Sequence, residues 1–418
     1  MNSPILIKKN DKFFVEDVCI DSIIEKFATP AYIYSKQRIV DNFKNLESAF
    51  KNVDHMICFA VKANSNIAIL NLLAKNGAGF DIVSGGELRR VIAADGDPKK
   101  IVFSGVGKTS EEIKLAIENN ILAFNIESED ELSRIQEIAK SLNKKASISI
   151  RVNPDVNANT HPYISTGLKE NKFGVSEVSA LNLYKKAKNM DSILIKGIDC
   201  HIGSQITDLK PFEDSVKKLI ALIDKLEKEG IKIKHMDIGG GIGISYEDEK
   251  TIAFDDYAKA VSSLTKGRDF KILLEPGRVI MADAGAILSK VEYVKRTQDK
   301  NFAIIDAAMN DLMRPSLYGA FHKILNASQT TEKESVFDIV GPICETGDFI
   351  GKDRVISIEP DNILVIMDTG AYAMSMSSNY NSRPRLHELM IDKDKIHMIR
   401  EKESFDDLIK GEKILPES

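Results

Sequence analysis

Ile57-Cys58-Phe59-Ala60-Val61-Lys62 decides the fold: an apolar run of the length of one strand leads straight into a lysine. Seven more short runs follow it: Phe80 to Val83, Ile101 to Phe103, Ala123 to Ile126, Ala146 to Val152, Ile195 to Ile202, His235 to Ile238 and Phe270 to Leu274. Between them lie stretches with helical periodicity, such as Ile67 to Lys75, Glu87 to Ala94, Ser110 to Asn119, Ser128 to Leu142 and Asp214 to Glu229, several with a Ser or Asp near the start. Eight βα units in succession predict an α/β chain with a (β/α)8 TIM-type barrel over residues 31–277. After Arg278 the runs become β-rich without long helices between them, at Ala286 to Tyr293, Phe302 to Asp306, Phe337 to Gly341, Val355 to Ile358 and Ile363 to Met367. They predict a C-terminal antiparallel β domain over 278–418, which residues 1–30 are expected to join.

Composition narrows the function classes. With 43% apolar and 28% charged residues in 418, the chain can bury a core without metal or disulfide staples. A net charge of -5 and the lack of a dense Lys/Arg block argue against nucleic acid or anionic membrane as partner. Cys19, Cys58, Cys200 and Cys344 are far apart and form no CxxC pair, so neither a zinc site nor a disulfide framework is expected. Lys8, Lys9, Asp11 and Lys12 interrupt the first apolar run and no run approaches membrane-spanning length, so a cytoplasmic location is expected.

In a barrel of this kind the chemistry sits at the C-terminal ends of the strands. The residues following the runs are Lys62, Ser84, Ser104, Glu127, Asn153, His201 to Gln205, Gly239 to Gly241, and Glu275 to Arg278. Strands end in polar loops anyway, and that suffices for Ser84, Ser104 or Glu127 taken singly. Lys62 is held by a rigid strand in partly apolar surroundings, which can depress its pKa and make the amine nucleophilic and Schiff-base-forming; on position alone, a solvated barrel-end lysine is the commoner reading. Gly239-Gly240-Gly241 offers bare backbone N–H groups for a phosphate, with Ser204, Gly277 and Arg278 able to complete the cradle; the alternative is a tight turn. Ile244 stands where a dinucleotide fingerprint needs its third glycine. Glu275 can keep a pyridine nitrogen protonated, His201 can stack on a ring, and Arg278 and Arg314 can grip a carboxylate. The segment Asn153 to Gly174 is long and aperiodic, as a lid would be.

Six motifs occur in order: Phe59-Ala60-Val61-Lys62-Ala63-Asn64, His201-Ile202-Gly203-Ser204-Gln205, Gly239-Gly240-Gly241, Glu275-Pro276-Gly277-Arg278, Gly341-Pro342-Ile343-Cys344-Glu345 and Asp368-Thr369-Gly370-Ala371-Tyr372. Together they resemble the diaminopimelate decarboxylases, pyridoxal-phosphate enzymes of the alanine-racemase-like class (fold type III). The resemblance implies decarboxylation of meso-2,6-diaminopimelate to L-lysine and carbon dioxide, the last step of lysine biosynthesis by that route, with pyridoxal 5'-phosphate as cofactor. It makes Lys62 the cofactor's Schiff-base lysine, His201 the stacking residue and Glu275 the partner of the pyridine nitrogen. Ser204, Gly240, Gly241, Gly277 and Arg278 would surround the phosphate, with Tyr372 also at the cofactor. Arg278, Arg314, Tyr318, Glu345 and Tyr372 would hold the substrate, and Cys344 would donate a proton. In the family Cys344 and Glu345 come from the partner subunit, which implies a homodimer. His161-Pro162-Tyr163-Ile164-Ser165-Thr166-Gly167 is similar to the family's active-site loop. Phe59 and Thr346 depart from the Tyr and Ser frequent there.

Ornithine and arginine decarboxylases share the class but do not face a distal carboxylate, and the ornithine enzymes usually carry Asp where this chain has Glu345. Alanine racemases place an arginine at the pyridine nitrogen, against Glu275 here. A non-catalytic homologue need not keep Lys62, Glu275 and Cys344 together, and cofactor-homeostasis barrels lack the large β domain.

Overall fold

The computed structural model describes residues 5–157 and 171–416. The chain divides into two compact units, Val40–Ile280 and Met1–Ile39 joined with Met281–Ser418. Most of the expected lid, including His161 to Gly167, lies outside the described residues.

Four strands come first in the chain: β1 (Leu6–Lys9), β2 (Lys12–Val15), β3 (Val18–Cys19) and β4 (Ala31–Ser35). In the Val40–Ile280 unit, β5 (His55–Ala60), β6 (Gly79–Ile82), β7 (Ile101–Phe103), β8 (Ala123–Ile126), β9 (Ala146–Arg151), β10 (Ile193–Asp199), β11 (His235–Asp237) and β12 (Lys271–Leu274) close a parallel barrel in chain order. These are the eight expected strands. Five of the intervening helices start on side-chain caps that satisfy otherwise orphaned N–H groups: Asn66, Ser84, Ser128 and Ser176 cap theirs, and Thr109 forms a reciprocal capping box with Glu112. Cys58, Val102 and Leu273 form an apolar cluster inside the barrel. Two residues further along these strands, one full pleat period, come Ala60, Ser104 and Glu275, so the interior turns polar towards the C-terminal mouth.

The second unit is a mixed sheet. β13 (Gly285–Arg296), β14 (Asn301–Ile305), β15 (Ile324–Asn326), β16 (Ser335–Val340), β17 (Phe349–Ile356), β18 (Ile363–Ile366), β19 (Glu388–Asp392) and β20 (Lys395–Arg400) form it with β4. Most pairings are antiparallel, but β4–β19 and β14–β16 are parallel. The expected barrel start at residue 31 is therefore too early: Ala31 to Ser35 pairs with β13 and β19, and this unit runs to Ile39. β1 to β3 form a small sheet of their own, and Leu6, Val15, Ile20 and Ile23 pack with Ile33, Leu288, Val365 and Leu389 in one core.

This unit also buries acid. The Asp311 carboxylate accepts from the Ala308 N–H at 3.0 Å and from Asn310 Nδ2 at 3.1 Å, and burial pushes its pKa up to about 7. An unfolded aspartate titrates near ~3.9, so the native state holds the proton between about pH 4 and 7 and stability falls as pH rises through that window. Asp311→Asn is expected to gain in melting temperature relative to the parent between pH 4 and pH 8; a difference that does not move with pH would contradict this.

Candidate active site

β5 ends at Ala60, and the short helical turn Val61–Ala63 carries Lys62 out at the barrel mouth. Its amine pairs with Asp81 Oδ2 at 2.5 Å; the Lys62 side chain is 38% exposed, whereas that of Asp81 is fully buried. The parallel register aligning Ala60 with Asp81 brings the two together. An accessible amine is thus oriented by a carboxylate in a low-dielectric wall, where an ion pair is stronger than in water.

Glu275 follows β12 and is buried. Ser104 Oγ and Asn125 Nδ2 stand 3.5 and 3.4 Å from its Oε1, at the outer limit of hydrogen bonding. Asp199 and Asp237 lie beside it, with ligand-type atoms of all three carboxyls within 4.8 Å of one another. Burial, then Asp237, Asp81 and Asp199, push the Glu275 carboxyl well above the usual range, so it holds a proton. Arg151 offsets part of this acidity, pairing with Glu127 Oε1 at 3.1 Å and approaching Asp199 Oδ2 at 3.9 Å.

The loops after β10, β11 and β12 are knitted together. The Glu275 N–H donates to the Gly239 carbonyl at 2.8 Å, the Ile206 N–H to that of Gly241 at 2.8 Å, and Gln205 Nε2 to that of Ile244 at 2.6 Å. Side chains do not fit here: a Cβ on Gly240 would lie 2.1 Å from the Glu275 carbonyl oxygen, and one on Gly241, at φ +103°, would lie 2.3 Å from that of Gly203. The Gly240 N–H donates to His201 Nδ1 at 3.2 Å, which requires that nitrogen to be unprotonated. Burial, then Arg151 and Lys62, hold the His201 pKa well below its ordinary value, so the ring is neutral. Arg278 donates from Nη1 to the Tyr246 hydroxyl at 2.7 Å and from Nη2 to Ser204 Oγ at 3.0 Å.

The Gly239 N–H is taken by Asp237 Oδ1 at 2.9 Å and that of Gly240 by His201, so it is the Gly241 backbone, kept open by the lack of a side chain, that with a serine hydroxyl and a guanidinium can make an anion cradle. A proton-holding carboxyl, a neutral flat ring and an accessible amine share the same barrel mouth. Asp81 Oδ1 is buried with no hydrogen-bond partner among the described residues. An anion cradle, a buried carboxyl and an accessible amine in one mouth are a donor set that fits pyridoxal phosphate. Gly241→Ala should cost about 1–3 kcal/mol in backbone strain alone and weaken cofactor binding about tenfold or more. Cofactor titration checks this, and unchanged affinity would remove the glycine loop from the site.

The barrel brings together Lys62, His201, Ser204, Gly240, Gly241, Glu275, Gly277 and Arg278. Arg314, Tyr318, Cys344, Glu345 and Tyr372 belong to the other unit. There Arg314 and Tyr318 begin and end one short helix, and Ser316 of that helix donates to the Gly347 carbonyl at 2.6 Å, tying it to the Cys344 loop. Asp348 accepts from the Met309 and Ile343 N–H groups, each at 2.7 Å, and the Cys344 N–H donates to Asn381 Oδ1 at 3.1 Å, leaving the thiol exposed. Of the strand-end residues, Ser84 is a helix cap, while Glu127 accepts from Gly105 and Gly174 N–H groups, each at 2.9 Å. Sequence reading passed over Asp81, Asn125, Arg151, Asp199 and Asp237. All lie inside strands at the mouth end, where a polar residue within an apolar run was the available signal.

Residues 36–282 match the family described as pyridoxal-dependent decarboxylase, pyridoxal binding domain. The diaminopimelate decarboxylase of Pseudomonas aeruginosa is 48% identical over 409 residues, covering 98% of this chain and 99% of its own length. That of Haemophilus influenzae is 50% identical over 402 residues, covering 96% and 97%. Among solved structures, the Helicobacter pylori diaminopimelate decarboxylase complexed with L-lysine gives a TM-score of 0.91 at 45% identity, covering 93% of this chain and 98% of that one. The M. jannaschii enzyme in co-complex with L-lysine gives 0.93 at 41%, covering 98% of each. With the likeness running through both units and the lysine, carboxyl and glycine loops in place, the chain belongs to the diaminopimelate decarboxylase family.

Proposed function

We infer that the protein decarboxylates meso-2,6-diaminopimelate to L-lysine and carbon dioxide, closing lysine biosynthesis by that route, with pyridoxal 5'-phosphate bound at the barrel mouth. The observation that carries this is the Lys62 amine, accessible and paired with buried Asp81, in the same mouth as buried Glu275 and the glycine cradle. When bound, the cofactor supplies an electron sink for the charge that develops as carbon dioxide leaves.

The chain's own groups supply the rest. Lys62 Nζ anchors the cofactor, with Asp81 orienting the amine. Buried Glu275 would pair with the ring nitrogen and keep that nitrogen protonated, which maintains the sink. The Gly240 N–H fixes the His201 ring face for stacking. Arg278, steadied by Tyr246 and Ser204, serves the phosphate and substrate ends. Arg314 and Tyr318 grip the distal carboxylate, Glu345 accepts from the distal amine, Tyr372 lies against cofactor and substrate, and Cys344 Sγ delivers the proton to the former α-carbon. Purified protein given the cofactor should release carbon dioxide from meso-diaminopimelate; activity confined to ornithine or arginine would overturn the substrate assignment.

Cys344 and Glu345 act in the partner's site of a homodimer, a reading supported by the family resemblance and by the exposure of both side chains. Mixing inactive Lys62→Ala and Cys344→Ala proteins should then restore about a quarter of parental activity, because half the dimers are mixed and each mixed dimer has one intact site. No recovery after verified subunit exchange would contradict shared sites. No helix among the described residues is long and apolar enough to cross a membrane; a cytoplasmic location is the reading we retain.

A further inference from the structure

We propose that His322 is a positioning residue for substrate recognition: a neutral imidazole, fixed by the Met367 carbonyl, that accepts from Arg314 and aims its guanidinium at the distal carboxylate. The inference rests on the reading of Arg314 as a substrate-binding residue and adds what holds it in place.

Arg314 opens the short helix Arg314–Tyr318 and is buried. A guanidinium only donates hydrogen bonds, and burying it demands acceptors in fixed places. Its Nη1 lies 2.8 Å from His322 Nε2, so Nε2 must present a lone pair. His322 Nδ1 lies 2.9 Å from the Met367 carbonyl oxygen, which only accepts, so Nδ1 must carry the proton. The two contacts together leave one tautomer, with hydrogen on Nδ1 and none on Nε2. The imidazole is wholly buried.

Its place is set by the sheet. His322 stands just before β15 and Met367 just after β18, whose register pairs Ile324 with Ile366. The Met367 N–H donates to the Lys323 carbonyl at 2.8 Å, continuing the ladder past the strand ends. A bidentate grip on a carboxylate depends on the plane of the guanidinium, and an acceptor locked to a strand end fixes that plane. A carboxylate in the position of His322 would orient the arginine equally well but neutralise it. A neutral imidazole takes one N–H without taking the charge that a substrate carboxylate needs.

The test is steady-state kinetics of the holoenzyme with His322→Phe, His322→Asn and His322→Gln, alongside Arg314→Lys. Phe keeps the bulk and removes the acceptor. Asn can reach Met367 but not Arg314, whereas the Gln carbonyl oxygen can stand where Nε2 stood. KM for meso-diaminopimelate should rise about 10–100-fold in His322→Phe and His322→Asn with kcat within about threefold of the parent, and His322→Gln should recover most of the loss. Inhibition by L-lysine, which keeps the distal carboxylate, should weaken in step with KM; inhibition by 1,5-diaminopentane, which has no carboxylate, should not change. If Arg314→Lys raises KM while His322→Phe and His322→Asn leave it unchanged, or if kcat falls with KM untouched, the role of His322 is overturned. An unchanged KM in Arg314→Lys would instead overturn the reading of Arg314 itself.

Discussion

Lys62→Ala is expected to lower turnover by about 10³-fold or more, because the accessible Lys62 amine at the barrel mouth is the proposed covalent anchor. Phosphate-end contacts should still retain the cofactor: Ser204, Arg278 and the glycine loop do not depend on Lys62. The visible absorbance of the bound cofactor should change to that of a free aldehyde, and a small primary amine added in excess should restore part of the rate. Removing Lys62 also strips buried Asp81 of its 2.5 Å ion pair, so a drop in stability should accompany the loss. Lys62→Ala together with Asp81→Asn should recover stability without recovering turnover. A single Lys62→Ala protein with near-parental turnover would move the anchor elsewhere.

Cys344→Ala is expected to slow turnover by about 10²–10⁴-fold, the range for losing a positioned proton donor. Its signature differs from that of Lys62→Ala. Cofactor affinity and absorbance should stay parental, since nothing in the barrel changes, and KM should move little. The surrounding loop should keep its shape, because Asp348 and Asn381 hold it through backbone N–H groups, not through the thiol. Parental turnover in Cys344→Ala would remove it from the mechanism.

How far these sites were readable in the sequence depends on how local their cause is. All eight barrel strands could be found because each is a short apolar run between helical stretches, most of which carry their caps beside them in the chain, as with Thr109 and Glu112. The mouth glycines were readable because their neighbours are strand ends. Ala31 to Ser35 reads as one more apolar run, but its partners are β13 and β19, more than two hundred residues away, and nothing local distinguishes it from a barrel strand. For the same reason the parallel pairings β4–β19 and β14–β16 were invisible, and β15, β19 and β20 went unread.

The missed polar residues teach a narrower lesson. Attention to the residue after each strand found Lys62 and Glu275 but skipped Asp81, Asp199 and Asp237, which are the inward-facing residues at or near the strand ends. Period-two alternation places them in the lumen with Glu275, where their crowding holds its proton. A carboxylate inside an otherwise apolar barrel strand costs free energy to bury, so its presence there is itself a site signal.

The most direct measurement is to reduce the holoenzyme with borohydride, digest it and locate the trapped cofactor by mass spectrometry. One modified residue is expected, Lys62, with labelling prevented in Lys62→Ala. Cofactor trapped on another lysine, such as buried Lys108 at the mouth end of the barrel, or no lysine-linked cofactor in an active preparation, would contradict it.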